Sequence, residues 1–480
     1  MRVSLTAIVA TLAIPVIRVA SRSPFAPTSD PGVYPGGDTN PSNGWTTLPT
    51  IDGARIDNST LRVGSGSATL LHYIDEKYDA SKIRRAVIQI HGENRDSWNQ
   101  WIYSDLAAKR AAEGGSFQRN QVVVMAPMFF TTKDEGAYPF DPTLDAGNKA
   151  TVTIDTSDTA IARQDYAQQT SIAEEFTSPL LKRRGRFRVP LQKVSTTDVM
   201  IWKAVEWGEG APAYEPVTAE GAGSFDALDA AVDFFLDRSR FPRLQKVVVA
   251  GFSLGAQLTN RYATFRSDTS QDGRIIYWIS SPNSFVYLQG DRPRHIGSSC
   301  RNTYADYKYG LNGTLPPYFT NSSNQLSASG LISRYLSRTI FYLVGLRDTS
   351  SGLDSCAPNS QGLGHLDKMY FWTHQVIPNL PGSTGQEGQL PANNLLRYVE
   401  DTGHQDWKVI TSDPGVETLW LKQWYANGTD AKAPVSSGVV AGNTPSKKII
   451  NGINGAQASR IHMLIVVLAA LVVSLIALVL

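Results

Sequence analysis

The sequence offers little to hold a charged partner or a bound cofactor. Its 45 Lys and Arg are nearly matched by 43 Asp and Glu, a net charge of +2. That balance gives no electrostatic basis for a nucleic-acid or acidic-surface partner. No H-E-x-x-H and no cluster of Cys and His at ligand spacing occurs, so no metal is expected. No G-x-G-x-x-G follows a strand-like run, so a dinucleotide has no support and no cofactor is expected. No internal repeat occurs. Cysteine is scarce: Cys300 and Cys356 are the only two. One pair permits one connectivity, so a disulfide between them is expected, in an oxidising compartment.

Long apolar runs lie at the two ends, and neither belongs to a folded core. Arg2, the apolar stretch Leu5 to Ile17 and Val19-Ala20-Ser21 match a secretory signal peptide over residues 1–21, with an uncleaved signal anchor as the alternative. Met463 to Leu480 carries no charge. The polar, small-residue stretch Asn451 to Arg460 precedes it. Together they resemble a glycosylphosphatidylinositol (GPI) attachment signal, with Asn454 or a neighbour as the attachment site. A plain C-terminal membrane anchor is the alternative. Asn-x-Ser/Thr sequons stand at Asn58, Asn312, Asn321 and Asn427. These features agree with a glycosylated protein of the secretory pathway, outside the cell or on its surface.

Between the ends, the expected class is α/β, with a mostly parallel sheet and helices on both faces. Residues 22–66 read as an irregular arm. Strands are expected at Ala68–Ile74, Ala86–Ile90, Val122–Pro127, Val247–Ala250, Ile275–Ser280, Thr339–Val344 and Leu395–Val399. Helices are expected at Ser97–Ala112, Ser224–Arg240 with Ser224 as its cap, Ala256–Phe265, Leu363–Val376 and Val416–Trp424. Two long segments read as insertions: 129–221 at the carboxyl edge of the sheet, and 285–337 as a second irregular one. The run Lys182-Arg183-Arg184-Gly185-Arg186-Phe187-Arg188 lies in the first, either a solvated loop or a processing site. Residues 427–459 read as a flexible spacer, and 460–480 as the hydrophobic tail.

The chemistry centres on Gly251-Phe252-Ser253-Leu254-Gly255, set between an apolar strand and a helix. In that context the turn admits only small neighbours and exposes the serine hydroxyl above the sheet. A serine needs a base, and the base needs a carboxylate to orient it. Of seven histidines, His91 and His404 follow strands; His365 and His374 lie within an expected helix. His404 comes after Asp348, which ends the strand TIFYLVG, giving the chain order Ser, acid, His. Asp354 competes with Asp348 for the acid role. The N–H of Leu254 is one expected oxyanion donor. The loop His91-Gly92-Glu93-Asn94 supplies the other, through Glu93 first and Asn94 second, with His91 as a structural residue.

The HG turn after an early strand, GFSLGAQ, GLRD and the late GHQ together resemble the α/β-hydrolase superfamily. The front motif HG-x-N-R-D is similar to that of fungal secreted or cell-surface α/β-hydrolase-like proteins. The resemblance covers about Leu70 to Trp424. It departs from lipases in having HGEN where they carry HGGG, and in the size of its insertions. It implies a serine hydrolase acting on a small or polymeric ester through an acyl-enzyme. An amidase with the same residues, and a non-catalytic surface-binding protein on this scaffold, are the alternatives.

Overall fold

Four apolar runs dictate the centre of the molecule. They form strands β3 (Arg85–Ile90), β4 (Val122–Pro127), β5 (Lys246–Phe252) and β6 (Ile275–Ser280), buried at every position. Strands covered on both faces need apolar residues without alternation, which is the mark of a parallel sheet between helical layers. The computed structural model describes residues 23–39, 41–138, 198–323, 325–350, 355–386 and 388–424. The signal-like segment, the basic run, Asp354, Asn427, the spacer and the tail with Asn454 lie outside the described residues. Among the described residues no helix is long and apolar enough to cross a membrane.

The remaining strands of the main sheet are β1 (Ala54–Asp57), β2 (His72–Asp75), β7 (Thr339–Gly345) and β8 (Asn394–Val399). The eight strands lie in the order β1-β2-β4-β3-β5-β6-β7-β8. Only the β1–β2 and β2–β4 pairings are antiparallel. From β4 to β8 every pairing is parallel. All carboxyl ends of β3 to β8 therefore face one edge, where connecting loops can converge.

Alternation along each strand divides the core in two. Ile88, Val247 and Val249 face one layer; Val87, Val248 and Ala250 face the other. Helix α1 (Ser97–Glu113) brings Trp98 and Ala107 to the second layer. Helices α2 (Ser224–Leu236) and α3 (Leu254–Phe265) bring Phe225, Leu228, Leu258 and Tyr262 to the first. Each such large apolar side chain contributes about 1.5–3 kcal/mol on burial.

Several elements differ from the sequence expectation. The stretch Ala68–Ile74 is two strands, not one. Ala68–Thr69 pairs with Arg62–Val63, and only β2 joins the main sheet. Backbone bonds from Thr69 to Asp198 and from Leu70 to Leu61 draw its first half away. The arm contributes β1 and buries Trp45 edge-on against Trp98. Ser224 is not the cap of α2. Gly223 occupies that position, because a Cβ there would stand 2.5 Å from the Ala211 carbonyl. Ser224 Oγ donates instead to the Trp207 carbonyl at 2.6 Å. Helix α2 also stops at Leu236, where Asp237 turns the chain by accepting from Ser239. The helix expected from Leu363 begins at His365, as α5 (His365–Phe371), after α4 (Ala328–Ser337) in the second insertion. The closing helix expected at Val416–Trp424 forms only as a wide helical turn, Glu417–Leu421, and two short helices not expected from the sequence precede it, α6 (Asp406–Thr411) and α7 (Asp413–Val416).

Cys300 and Cys356 are bonded, tying the second insertion to the segment before α5 across a sequence separation of 56. Constraining a loop of that length in the unfolded chain stabilises by about 4 kcal/mol in the chain-entropy account, with measured values about 2–4. The Cys300→Ser/Cys356→Ser double variant is therefore expected to lose about 2–4 kcal/mol in urea denaturation. Reductant should destabilise the native protein and leave the variant unchanged.

Candidate active site

The turn from β5 into α3 carries Ser253. Its backbone sits at φ 56°, ψ −118°. A side chain in that region costs of order 1–3 kcal/mol unless its surroundings fix it. Here the Ser253 N–H donates to the Ser280 carbonyl at 2.9 Å, and its own carbonyl accepts from Gln257 N–H at 3.1 Å. The flanking glycines are required by contact. A Cβ on Gly251 would lie 2.2 Å from the Gly255 carbonyl oxygen, and one on Gly255 would lie 2.4 Å from that of His91. So the glycines let β5, α3 and the loop after β3 meet at one point.

The loops after β7 and β8 bring the partners. Arg347 N–H donates to the Thr402 carbonyl at 2.8 Å, and Leu346 N–H to that of Val399 at 2.9 Å. Bound together, they place Asp348 beside His404. His404 Nδ1 lies 2.9 Å from Asp348 Oδ2, and its Nε2 lies 2.9 Å from Ser253 Oγ. The carboxylate requires the proton on Nδ1, which leaves Nε2 free to accept from the serine. Asp348 is 1% exposed. Its burial acts to raise the carboxyl, but contacts with His365 and His404 outweigh it and hold the group well below the usual carboxylate range.

His365 is the residue that sequence reasoning missed. Placed within a helix expected from Leu363, it is the first residue of α5. Its Nδ1 lies 3.0 Å from Asp348 Oδ1, and its ring stacks on His404 with centroids 4.1 Å apart. A signal was present in the glycines just before it. A Cβ on Gly364 would lie 2.4 Å from the Thr349 carbonyl, so the chain doubles back onto the Asp348 loop. His72 and His374 make local contacts, to the Leu70 and Tyr370 carbonyls. Among the described residues, Asp348, His365 and His404 form the one group of donors close enough to consider for a metal, within 4.8 Å of one another. Asp348 Oδ2 and both nitrogens of His404 are already engaged in the chain to Ser253, an arrangement suited to moving a proton.

The loop after β3 lies over the serine. A Cβ on Gly92 would be 3.4 Å from Ser253 Cβ and 3.9 Å from its Oγ. The loop is held from behind. Arg95, at φ 54°, pairs with buried Asp134 at 2.8 Å and donates to the Glu93 carbonyl at 2.6 Å. Trp45 donates its indole N–H to the Asn94 carbonyl at 2.6 Å. The N–H groups of Glu93 and Leu254 donate to no acceptor among the described residues. His91 is fully buried and structural in its contacts: Nε2 accepts from Phe129 N–H at 3.0 Å, and Nδ1 donates to the Gly92 carbonyl at 2.8 Å.

The first insertion reaches this point, and the second is tied to it. A Cβ on Gly208 would stand 2.6 Å from the Leu254 side chain. Buried Arg261 of α3 donates to the Gly208 carbonyl at 2.6 Å and to Ser284 Oγ at 2.9 Å. Tyr307 and Lys308 of the second insertion bond Glu209 of the first. Trp98, Trp101, Trp202, Trp207 and Tyr287 are all core residues. Asn58, Asn312 and Asn321 are exposed.

Strand order, elbow and the two late loops together identify the architecture. The chain has the α/β-hydrolase fold. No family model matches the sequence, and no curated protein matches it. Among solved structures it is similar to the poly(3-hydroxybutyrate) depolymerase LpqC of Bordetella parapertussis, at 15% identity and a TM-score of 0.42, covering 76% of this chain and 88% of that one. It is also similar to poly(aspartic acid) hydrolase-1 of Sphingomonas sp. KT-1, at 14% identity and a TM-score of 0.41, over 77% and 100% of the two chains. A third is the siderophore hydrolase EstB of Aspergillus nidulans, at 12% identity and a TM-score of 0.34, over 78% and 97%.

Burial pushes the His91 imidazole down to about 3. In the unfolded chain a histidine titrates near 6.5. The folded form thus binds fewer protons between those values. The stability His91 contributes is complete above about pH 6.5 and is lost as pH falls towards 3, by at most about 1.4 kcal/mol per unit. In an NMR titration its ring should stay neutral through pH 4. The stability gap between the native protein and His91→Gln should narrow over the same range.

Proposed function

We propose that the protein is a serine hydrolase acting on carboxylic esters. Ser253 is the nucleophile, His404 the base and Asp348 the group that orients it. The observation that carries this reading is the unbroken hydrogen-bond chain from Ser253 through His404 to Asp348, on a strained turn at the carboxyl edge of the sheet.

The steps follow from the geometry. Ser253 Oγ attacks the ester carbonyl carbon as its proton passes to His404 Nε2. Asp348, held anionic, stabilises the imidazolium. The tetrahedral oxyanion accepts from the N–H groups of Leu254 and Glu93, at the start of a helix whose end favours negative charge. Loss of one such donor costs about 2.7–4 kcal/mol of transition-state stabilisation. The C–O bond breaks, the alcohol leaves with the proton from His404, and the acyl group remains on Ser253. Water then gives one proton to His404 and its oxygen attacks the acyl carbon; the bond to Ser253 Oγ breaks, Oγ takes the proton back from His404, and the acid leaves. The same residues would serve an amide.

The disulfide and the exposed sequon asparagines support a place in the secretory pathway, with the protein outside the cell or held at its surface. Release from membranes by a phosphatidylinositol-specific phospholipase is expected for the GPI-anchored form. Retention, with a control anchor cut, would point to a membrane-spanning tail.

A fluorophosphonate probe tests the chemistry. The native protein should be labelled at Ser253, and Ser253→Ala should not be labelled at all. Asp348→Asn is expected to slow labelling by roughly 10³- to 10⁴-fold, because the imidazole loses its tautomer and orientation. Chelator should leave activity unchanged. Labelling that survives in Ser253→Ala, or a native protein that is inert to the probe and to ester substrates, would overturn the reading.

A further inference from the structure

The acid Asp348 faces two imidazoles, and the mechanism above uses one. His365 is 3% exposed, with its backbone N–H bonded to the Ser350 carbonyl at 3.3 Å. The next residue, Leu366, donates its N–H to the carbonyl of Asp348 itself at 2.8 Å. The start of α5 and the Asp348 loop are therefore one rigid piece. From it, His365 Nδ1 reaches Asp348 Oδ1 at 3.0 Å, while His404 Nδ1 takes Oδ2 at 2.9 Å. The His365 contact is bent away from hydrogen-bond alignment, and neither atom has another hydrogen-bond partner. A nitrogen lone pair facing a carboxylate oxygen at that distance would be repulsive. The proton therefore sits on Nδ1, and the contact is a close polar one with the N–H turned partly aside from the oxygen.

We propose that His365 is a positioning residue for the base: its neutral imidazole occupies the second oxygen of Asp348 and one face of His404. It does not touch the reacting atoms. With His404 hydrogen-bonded to one oxygen and the His365 N–H against the other at 3.0 Å, the carboxylate is restrained in rotation and its charge is attracted from both sides. With the His365 ring at 4.1 Å and Phe252 at 4.7 Å, His404 is confined by aromatic contacts while only its edge meets Ser253.

The charged groups facing this pair are few. They are Asp348 itself, Asp406 at the start of α6, and Lys368 on α5, with Asp367 acting on Lys368. Burial holds His365 below its ordinary value, and the charges of His404 and Lys368 act in the same direction. It thus remains a neutral donor when His404 becomes charged during the reaction. A second cation beside the imidazolium would oppose the step; a neutral ring does not.

This inference rests on the assignment of Ser253 and His404 above, and its test is built to separate the two. The readout is the rate of fluorophosphonate labelling of the full-length protein as a function of pH. His365→Phe keeps a ring against His404 and removes the donor to Asp348. The carboxylate charge then concentrates on the His404 side and favours the imidazolium. The acid limb of the profile should move up by roughly half to one pH unit. His365→Asn keeps a donor and removes the ring. Its acid limb should stay where the native one lies, while its plateau rate falls roughly three- to tenfold. Thermal unfolding of both variants identifies the folded fraction, and labelling is scored on that fraction. Equal losses of plateau rate with both limbs unmoved would reduce His365 to ordinary packing and overturn the proposal. So would two variants indistinguishable from the native protein. A native protein that is not labelled at Ser253 would remove the underlying reading, and the proposal with it.

Discussion

The structure depends on one close approach. The backbone of α3 at Gly255 lies against the carbonyl of His91, and that of β5 at Gly251 lies against Gly255. No side chain larger than hydrogen fits at either point. The turn from β5 into α3 is thereby brought against the loop after β3, from a distant part of the chain. Ser253 is held in its unfavourable backbone conformation between them. The strain is sustained by the sheet beneath, because Val247–Ala250 are wholly buried and cannot relax without opening both layers of the core.

Around that contact, the site is assembled from loops that brace each other. The loop after β3 is held from behind by the buried Arg95–Asp134 pair. The Asp134 carboxylate also accepts from Trp45 and Thr131. Breaking a buried pair of this kind by removing one partner typically costs about 3–5 kcal/mol. The loops after β7 and β8 are bonded through backbone groups, so Asp348 and His404 move as a unit. Arg261 ties α3 to the first insertion at Gly208 and to Ser284 in the loop after β6, just before the second insertion. The first insertion thus packs beside the serine at Leu254, and the second is bonded to the first through Glu209.

Charge follows the same logic. Asp348 is buried yet held anionic by two imidazoles. His91 is buried and held neutral, with one nitrogen accepting and the other donating. Two histidines following strands at the same edge thereby have opposite uses. One bonds only backbone groups; the other bonds a carboxylate and a hydroxyl.

The sequence by itself determined the elements whose signal is local. Unbroken apolar runs marked the central strands, because a strand covered on both faces has no polar side to show. The elbow was legible because the steric demand for small residues is met by neighbours in the chain. The order of Ser253, Asp348 and His404 was legible because each ends or follows a strand. Only the tertiary structure decided what depends on distant partners. It split Ala68–Ile74 between two sheets, since Leu61 and Asp198 compete for its backbone. It gave the helix cap to Gly223, since Ala211 packs too close for a side chain. It also placed His365 on Asp348. Helical periodicity describes a residue's face on its own helix and carries no information about which loop that helix begins against.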